Sequence, residues 1–241
     1  MINIKGVNIN YLDYGKKSGN TLVLLHGWGQ NIEMMDMLGK PFIENYRIIN
    51  IDLPGFGKSE EPVDSWSLDD YVEMLHILLN ELKIKNPIII GHSFGGRVAI
   101  KYAGNKEVSK VVLLSAPFRP SGKKTFKTRL LKTLKKVPLL NKLENWAKSK
   151  IGSRDYKAAS PVMRGVLVKA VNTDLTEDAK NIDAPVLIIF GDQDTEVPVS
   201  EAKYLESIIK NAGLVVYEGC THYAYLERLN QTIAVLKEFF K

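Results

Sequence analysis

The run Pro87-Ile88-Ile89-Ile90-Gly91-His92-Ser93-Phe94-Gly95-Gly96-Arg97-Val98-Ala99 decides how the rest of the chain is read. Residues 87–90 form a short apolar stretch with the β-branched composition of a strand buried on both faces. Residues 96–103 have the composition of a helix. Between them stands Gly91-His92-Ser93-Phe94-Gly95, a G-x-S-x-G sequence. Five positions with three fixed arise often by chance, but a buried strand before them and a helix after them make the pattern specific. The glycines permit a turn too sharp for Cβ atoms, and the serine is left projecting above the sheet edge as a nucleophile elbow.

Working outward, residues 2–4 and 7–14 read as a hairpin turning near Gly6, and 21–25, 46–51, 110–114, 185–190 and 214–217 read as further strands. With 87–90 they predict a mostly parallel, eight-stranded sheet flanked by helices, an α/β fold. One helix starts after the N-cap Ser67, with Asp69 and Asp70 favourably placed in its first turn. Its stripe of Leu68, Tyr71, Val72, Leu75, Leu78, Leu79 and Leu82 steps by three or four. Leu226, Leu229, Ile233, Leu236 and Phe240 predict a C-terminal helix in the same way. Residues 118–183 interrupt the alternation: 66 positions rich in Lys, amphipathic, with no convincing strand. They read as a helical insertion, a cap or lid, between a core made of 1–117 and 184–241. That core, 175 residues, is an ordinary size for one domain.

A serine at its normal pKa needs a base, and the base needs an orienting group. His76 falls on the side of its helix away from the apolar stripe and reads as solvated; His92 lies inside the elbow, pointing away from the reacting face; His26 reads as a brace in the loop after 21–25. His222, in a loop after the last strand, is the candidate base, because loops at the carboxyl ends of parallel strands carry the sites of such sheets. Asp194, after strand 185–190, is the candidate acid, with Asp192 as the alternative. The backbone N–H of Phe94, opening the elbow helix, is one oxyanion donor; the other is the N–H of Trp28 in His26-Gly27-Trp28-Gly29, and both side chains are candidates for lining the substrate pocket.

The composition excludes several classes. A chain of 241 residues buries roughly 70% or more of its unfolded surface and needs no covalent staple. Its single cysteine, Cys220, excludes an internal disulfide or a multi-cysteine metal site, and reads as a small apolar loop residue although it lies two positions from His222. No apolar run approaches the ~20 residues of a membrane span, and the N-terminus has no signal-peptide character, so a reducing cytoplasm is the expected compartment. Zinc-finger spacing, RNA-binding signatures and a basic zipper helix are all missing, which argues against nucleic acid as a partner.

His26-Gly27-Trp28-Gly29, Asp52-Leu53-Pro54-Gly55-Phe56-Gly57-Lys58-Ser59, the Ser93 elbow, the Asp194 segment and the His222 segment occur in the order found in the α/β-hydrolase superfamily, which the chain resembles over nearly all of its length outside the insertion. The resemblance implies a serine hydrolase cleaving carboxylic esters through an acyl-enzyme, with no metal and no organic cofactor. It also implies a helical cap inserted after Ser115-Ala116-Pro117. Some relatives carry the acid there; this chain has no carboxylate at that point, which favours Asp194. Relatives that open epoxides or remove halide use Asp in the elbow, and Ser93 excludes them. The pairing of the His26 and Leu53 segments is similar to esterases that demethylate pimeloyl groups on acyl carrier protein, although those carry Trp before and Leu after the nucleophile, where this chain has His92 and Phe94. Thioesterases, carbon–carbon bond hydrolases on the same fold, and a catalytically weak ligand-binding relative are the remaining readings.

The charge is uneven. Over residues 118–160, ten Lys and three Arg stand against Glu144 and Asp155, whereas the rest of the chain holds 20 basic and 25 acidic residues. The basicity therefore belongs to the insertion, where it would be either a solvated face or a surface that steers an acidic carrier protein, an anionic membrane surface or an acidic substrate.

Overall fold

In the computed structural model, which describes residues 1–120 and 154–241, the first hairpin ends sooner than the apolar pattern suggests. β1 (Ile2–Ile4) and β2 (Val7–Ile9) form a separate two-stranded antiparallel sheet, and β3 (Tyr11–Gly15) belongs to the main one. The break falls at Asn10. Its N–H donates to Ser59 Oγ at 2.8 Å, its side-chain amide donates to Asp52 Oδ2 at 2.7 Å, and its carbonyl accepts from the Asp52 N–H at 3.0 Å. The carbonyl bond still follows the β3–β5 pairing one step past Tyr11 and Ile51, but the N–H is taken by the Ser59 side chain, and the expected strand 7–14 divides there.

The main sheet has seven strands among the described residues, not eight, since the hairpin stands apart. To β3 it adds β4 (Thr21–Leu25), β5 (Arg47–Ile51), β6 (Ile88–His92), β7 (Lys110–Leu114), β8 (Val186–Gly191) and β9 (Ala212–Tyr217). Their order is β3-β5-β4-β6-β7-β8-β9; β3 runs antiparallel to β5 and every other pair is parallel. Successive residues of the central strands serve two different cores, as the pleat requires. Val23, Leu25, Ile89, Val111, Leu113 and Ile188 pack with α2 (Leu68–Glu81) and α3 (Phe94–Ala103). Leu22, Leu24, Ile90, Val112, Leu114 and Ile189 pack with α1 (Ile32–Gly39) and the C-terminal helix. Each such side chain contributes about 1.5–3 kcal/mol by leaving water.

Helix α2 starts where the N-cap signal places it. Ser67 Oγ accepts the Asp70 N–H, and Asp70 Oδ2 accepts the Ser67 N–H at 2.8 Å, a capping box closed by aspartate. The expected C-terminal helix is instead two, α8 (Ala224–Glu227) and α9 (Leu229–Phe239), because the backbone of Arg228 leaves the helical region at φ −120°, ψ 45°. Within the insertion the described residues are helical: α4 (Arg154–Ala158), α5 (Pro161–Asn172) and α6 (Thr176–Lys180), followed after β8 by α7 (Val199–Ile208). Residues 121–153, which include most of the lysines counted above, lie outside the described residues.

The insertion is tied to the body through its two stems. Leu175 N–H donates to the Phe118 carbonyl at 2.8 Å. Arg97, buried on α3, donates through Nη1 to the Pro117 carbonyl at 3.1 Å and through Nη2 to the Thr173 carbonyl. Burial lowers the pKa of Arg97 to about 10, offset in part by the charge of Asp174, so the guanidinium stays positive at neutral pH.

Candidate active site

The strand of the elbow runs two residues further than its apolar stretch, through Gly91 and His92, and the chain then turns on Ser93 itself. Ser93 has φ 48° and ψ −107°, a conformation that L residues rarely adopt and that persists only where the surroundings impose it. The surroundings are backbone. A Cβ on Gly91 would lie 2.5 Å from the Gly95 carbonyl oxygen, and one on Gly95 would lie 2.3 Å from the Leu25 oxygen. The Gly95 N–H donates to the His26 carbonyl at 3.1 Å and the Ser93 N–H to the Leu114 carbonyl at 2.9 Å, so the elbow is held from β4 on one side and β7 on the other.

Asp194 and His222 meet. Asp194 Oδ2 lies 2.8 Å from His222 Nδ1, while Oδ1 accepts the N–H groups of Glu196 at 2.8 Å and Val197 at 2.9 Å. Burial alone would raise the Asp194 pKa; the hydrogen bonds from His222, Val197 and Glu196 outweigh it and hold the carboxyl below its usual value, ionised at neutral pH. That fixes His222 with its proton on Nδ1. The opposite nitrogen, Nε2, is buried without a hydrogen-bond partner, and the exposed Glu196 carboxylate is 3.5 Å away. Asp192 is elsewhere: it is exposed and accepts the Gly219 N–H at 2.7 Å. His222 is brought to the elbow by the residue before the serine, since the His92 ring stands 5.0 Å from the His222 ring and 3.1 Å, at Nε2, from the His222 carbonyl oxygen.

The loop after β4 lies on the other side of the elbow. His26 is fully buried; its Nδ1 donates to the Gly27 carbonyl at 2.7 Å and its Nε2 accepts the Leu53 N–H at 2.9 Å. Burial lowers its pKa to about 4, so it is a neutral brace with both nitrogens engaged. No acceptor among the described residues takes the N–H of Trp28 or of Phe94. Their rings meet edge to face at 5.4 Å, and Phe56 joins them, 4.9 Å from Trp28 and 6.1 Å from Phe94. Met163 of α5 lies against Gly55, next to Phe56 in sequence: a Cβ on Gly55 would lie 2.4 Å from its sulfur.

The other histidine and the cysteine lie away from this chemistry. His76 is half-buried rather than solvated, 3.5 Å from the Tyr102 hydroxyl and 3.1 Å from the Asn80 amide. Cys220 is 2% exposed and packs in the core.

Three contributors were not read from the sequence. Asp52 braces the loop before α1, accepting from the Ile32 N–H at 2.8 Å, the Lys58 N–H at 2.9 Å and Asn10. Phe56 and Met163 add apolar side chains beside it. Only Asp52 and Phe56 had a visible signal, their place in the Asp52–Ser59 segment; Met163 looks like any amphipathic helix position. Among the described residues no group of three or more His, Cys, Asp or Glu is placed to hold a metal ion, and no helix is long and apolar enough to cross a membrane.

A parallel sheet carrying a strained serine after its central strand, and a buried Asp–His pair on the loops of two later strands, defines a class of hydrolases built on one fold. The chain belongs to the alpha/beta hydrolase family, whose pattern matches residues 22–235. It is 31% identical over 249 residues to the non-heme chloroperoxidase CPO-A1 of Kitasatospora aureofaciens, covering 90% of this chain and 89% of that protein. To a pimeloyl-[acyl-carrier protein] methyl ester esterase of Aliivibrio fischeri it is 24% identical, over 92% of this chain and 93% of the other. A crystallised variant of the meta-cleavage product hydrolase from Pseudomonas fluorescens IP01 superposes with a TM-score of 0.74 at 26% identity, covering 98% of this chain and 94% of that one. The protein is an enzyme of the hydrolase class, in a family whose members include esterases.

Proposed function

We propose that the protein is a serine hydrolase that cleaves carboxylic esters through an acyl-enzyme. The observation that carries this reading is the Asp194–His222 hydrogen bond with His222 Nε2 left buried and unpaired, on a loop anchored to the residue before Ser93. His222 Nε2 takes the Ser93 hydroxyl proton as Oγ attacks the ester carbonyl carbon. The carbonyl π electrons move to oxygen, and the oxyanion accepts hydrogen bonds from the Trp28 and Phe94 N–H groups. Collapse expels the alcohol, protonated by His222. Water, deprotonated by His222, then attacks the acyl-enzyme, and the carboxylic acid leaves as Ser93 recovers its proton. Asp194 holds the imidazole tautomer and stabilises the imidazolium throughout.

The substrate is a small ester with an apolar acyl group, in keeping with the wall of Trp28, Phe56, Phe94 and Met163. Residues 118–183 act as its lid. A second reading, an ester or thioester on an acidic carrier protein, is favoured by the excess of positive charge in residues 118–160 and by the pimeloyl-[acyl-carrier protein] esterase relative. A carbon–carbon bond substrate, which hydrolases on the same fold can take, is the third case to try.

The test is Ser93→Ala, assayed on a chain-length series of p-nitrophenyl esters and by fluorophosphonate labelling. Turnover falls on the order of 10⁶-fold and the label is lost, with folding unchanged. Retained turnover would overturn the assignment, and a wild-type enzyme that takes no label would point to a ligand-binding protein.

A further inference from the structure

We infer that His92 is a positioning residue, tying the His222 loop to the elbow by a hydrogen bond while its ring packs against the Gly27 loop, so that Nε2 of His222 is aimed at Ser93. The inference rests on the roles given above to Ser93, His222 and Trp28. His92 follows four isoleucine and glycine positions of β6 and is 1% exposed. Its ring is enclosed by His222 at 5.0 Å, Tyr223 at 5.4 Å and Tyr225 at 4.9 Å. Nε2 is 3.1 Å from the His222 carbonyl oxygen, and Nδ1 is 3.2 Å from Gln30 Oε1. The same Gln30 oxygen accepts the Gly27 N–H at 3.0 Å, and a Cβ on Gly27 would lie 2.7 Å from His92 Nδ1. One side chain thus touches the two loops that flank Ser93.

Burial, followed by the nearby charge of protonated His222, lowers the pKa of His92 to about 3, so the ring is neutral and has one N–H to give. Two acceptors compete for it. Gln30 Oε1 already has the Gly27 N–H, whereas the buried carbonyl of His222 has no other donor among the described residues. The proton therefore belongs on Nε2, donated to His222, and the unprotonated Nδ1 meets Gln30 Oε1 only as a packing contact. The loop that carries His222 leaves β9 through Gly219 at φ +70° and regains helix at Ala224; Thr221 is fastened to Glu227 and the Cys220 carbonyl accepts the Gln193 N–H at 2.9 Å, while His92 fastens the carbonyl of His222 itself. Asp194 holds the imidazole at Nδ1, a single point about which the ring could pivot. His92 supplies the second, on the backbone of the same residue, and the two together aim Nε2.

The experiment compares His92→Phe, which keeps an aromatic ring without the donor, His92→Gln, whose amide N–H reaches about where Nε2 sits, and His92→Asn, whose amide reaches only the Nδ1 position. Rapid-mixing acylation rates with p-nitrophenyl butyrate are read beside KM and thermal midpoints. We expect acylation in His92→Phe to slow at least about 10-fold with KM within about 2-fold, largely restored in His92→Gln and not in His92→Asn. Acylation at the wild-type rate in His92→Phe overturns the inference, as does rescue by Asn instead of Gln. Should His92→Phe fail to fold, the ratio of Gln to Asn rates decides: about 5-fold or more supports the inference, equality overturns it. Failure of the underlying assignment shows itself separately, as unlabelled wild-type enzyme or active Ser93→Ala.

Discussion

The carboxyl end of the sheet and the described part of the insertion are held by different kinds of contact. At the elbow the constraints are backbone against backbone: a strained Ser93, and glycines whose missing Cβ atoms would strike carbonyl groups. The described part of the insertion meets backbone closely at one point, where a Cβ on Gly104 would lie 2.3 Å from the Asp178 carbonyl oxygen, and otherwise rests largely on side chains. Arg97 clasps the carbonyls of both stems, Ser65 Oγ donates to the Val162 carbonyl at 2.7 Å, Ser160 Oγ donates to Glu61 at 2.6 Å, and Met163 covers Gly55. Backbone constraints admit almost no substitution, while side-chain clasps can be exchanged one at a time. On the proposed function, the chemistry is built into the rigid region and selectivity falls to the adjustable one.

Asp194→Asn strikes the rigid region hardest without altering shape. The amide presents the wrong partner to His222 Nδ1, and kcat falls on the order of 10⁴-fold in a protein that still melts normally. A loss below about 10-fold in steady-state assays would separate Asp194 from the site.

Arg97→Met tests the clasp. It leaves two half-buried carbonyls without their donor, so unfolding free energy drops by roughly 1–3 kcal/mol in denaturant titration. In kinetics, KM for long acyl esters rises several-fold while kcat for the acetate ester stays within about 2-fold. A fall in kcat for every ester alike would show that the clasp supports the elbow and would erase the contrast between the two regions.

A milder probe is pH. His26 is held neutral, its pKa lowered by burial from 6.5 to about 4. Between these values the unfolded chain binds the proton that the folded one refuses. Its contribution to stability is therefore complete above pH 6.5 and is lost as the pH falls toward 4. Denaturant midpoints at stepped pH should decline across that window, less steeply in His26→Gln. An unchanged slope would take His26 out of the bracing network.

The smallest effect concerns the charged insertion. If residues 118–160 steer an acidic carrier protein, kcat/KM for a carrier-bound ester declines between about 0.05 and 0.5 M salt, as the Debye length shrinks, while a neutral p-nitrophenyl ester is unaffected. Equal behaviour of the two substrates would leave those lysines as a solvated surface.

Much of the frame was legible because its determinants are local. The glycine pattern about Ser93, the Ser67 cap and the apolar β6 run act over a few residues. What escaped was set by partners far along the chain. Asn10 splits its strand by bonding to Asp52 and Ser59. Arg97 sits in a helix turn that reads as ordinary, yet serves Pro117 and Thr173. His92 reads as structural from its place in the elbow, but its contacts with Gln30 and His222 span 62 and 130 residues.

By itself, the sequence determined the strand–turn–helix elbow, the choice of Ser93, Asp194 and His222 as candidates, and the uneven charge, since each follows from residue type and near-neighbour spacing. Only the tertiary structure decided that Asp194 rather than Asp192 meets His222, that His26 is a neutral brace, and that the first hairpin stands outside the sheet. Those outcomes depend on which groups lose water together, and burial with its hydrogen-bond partners is a property of the folded neighbourhood.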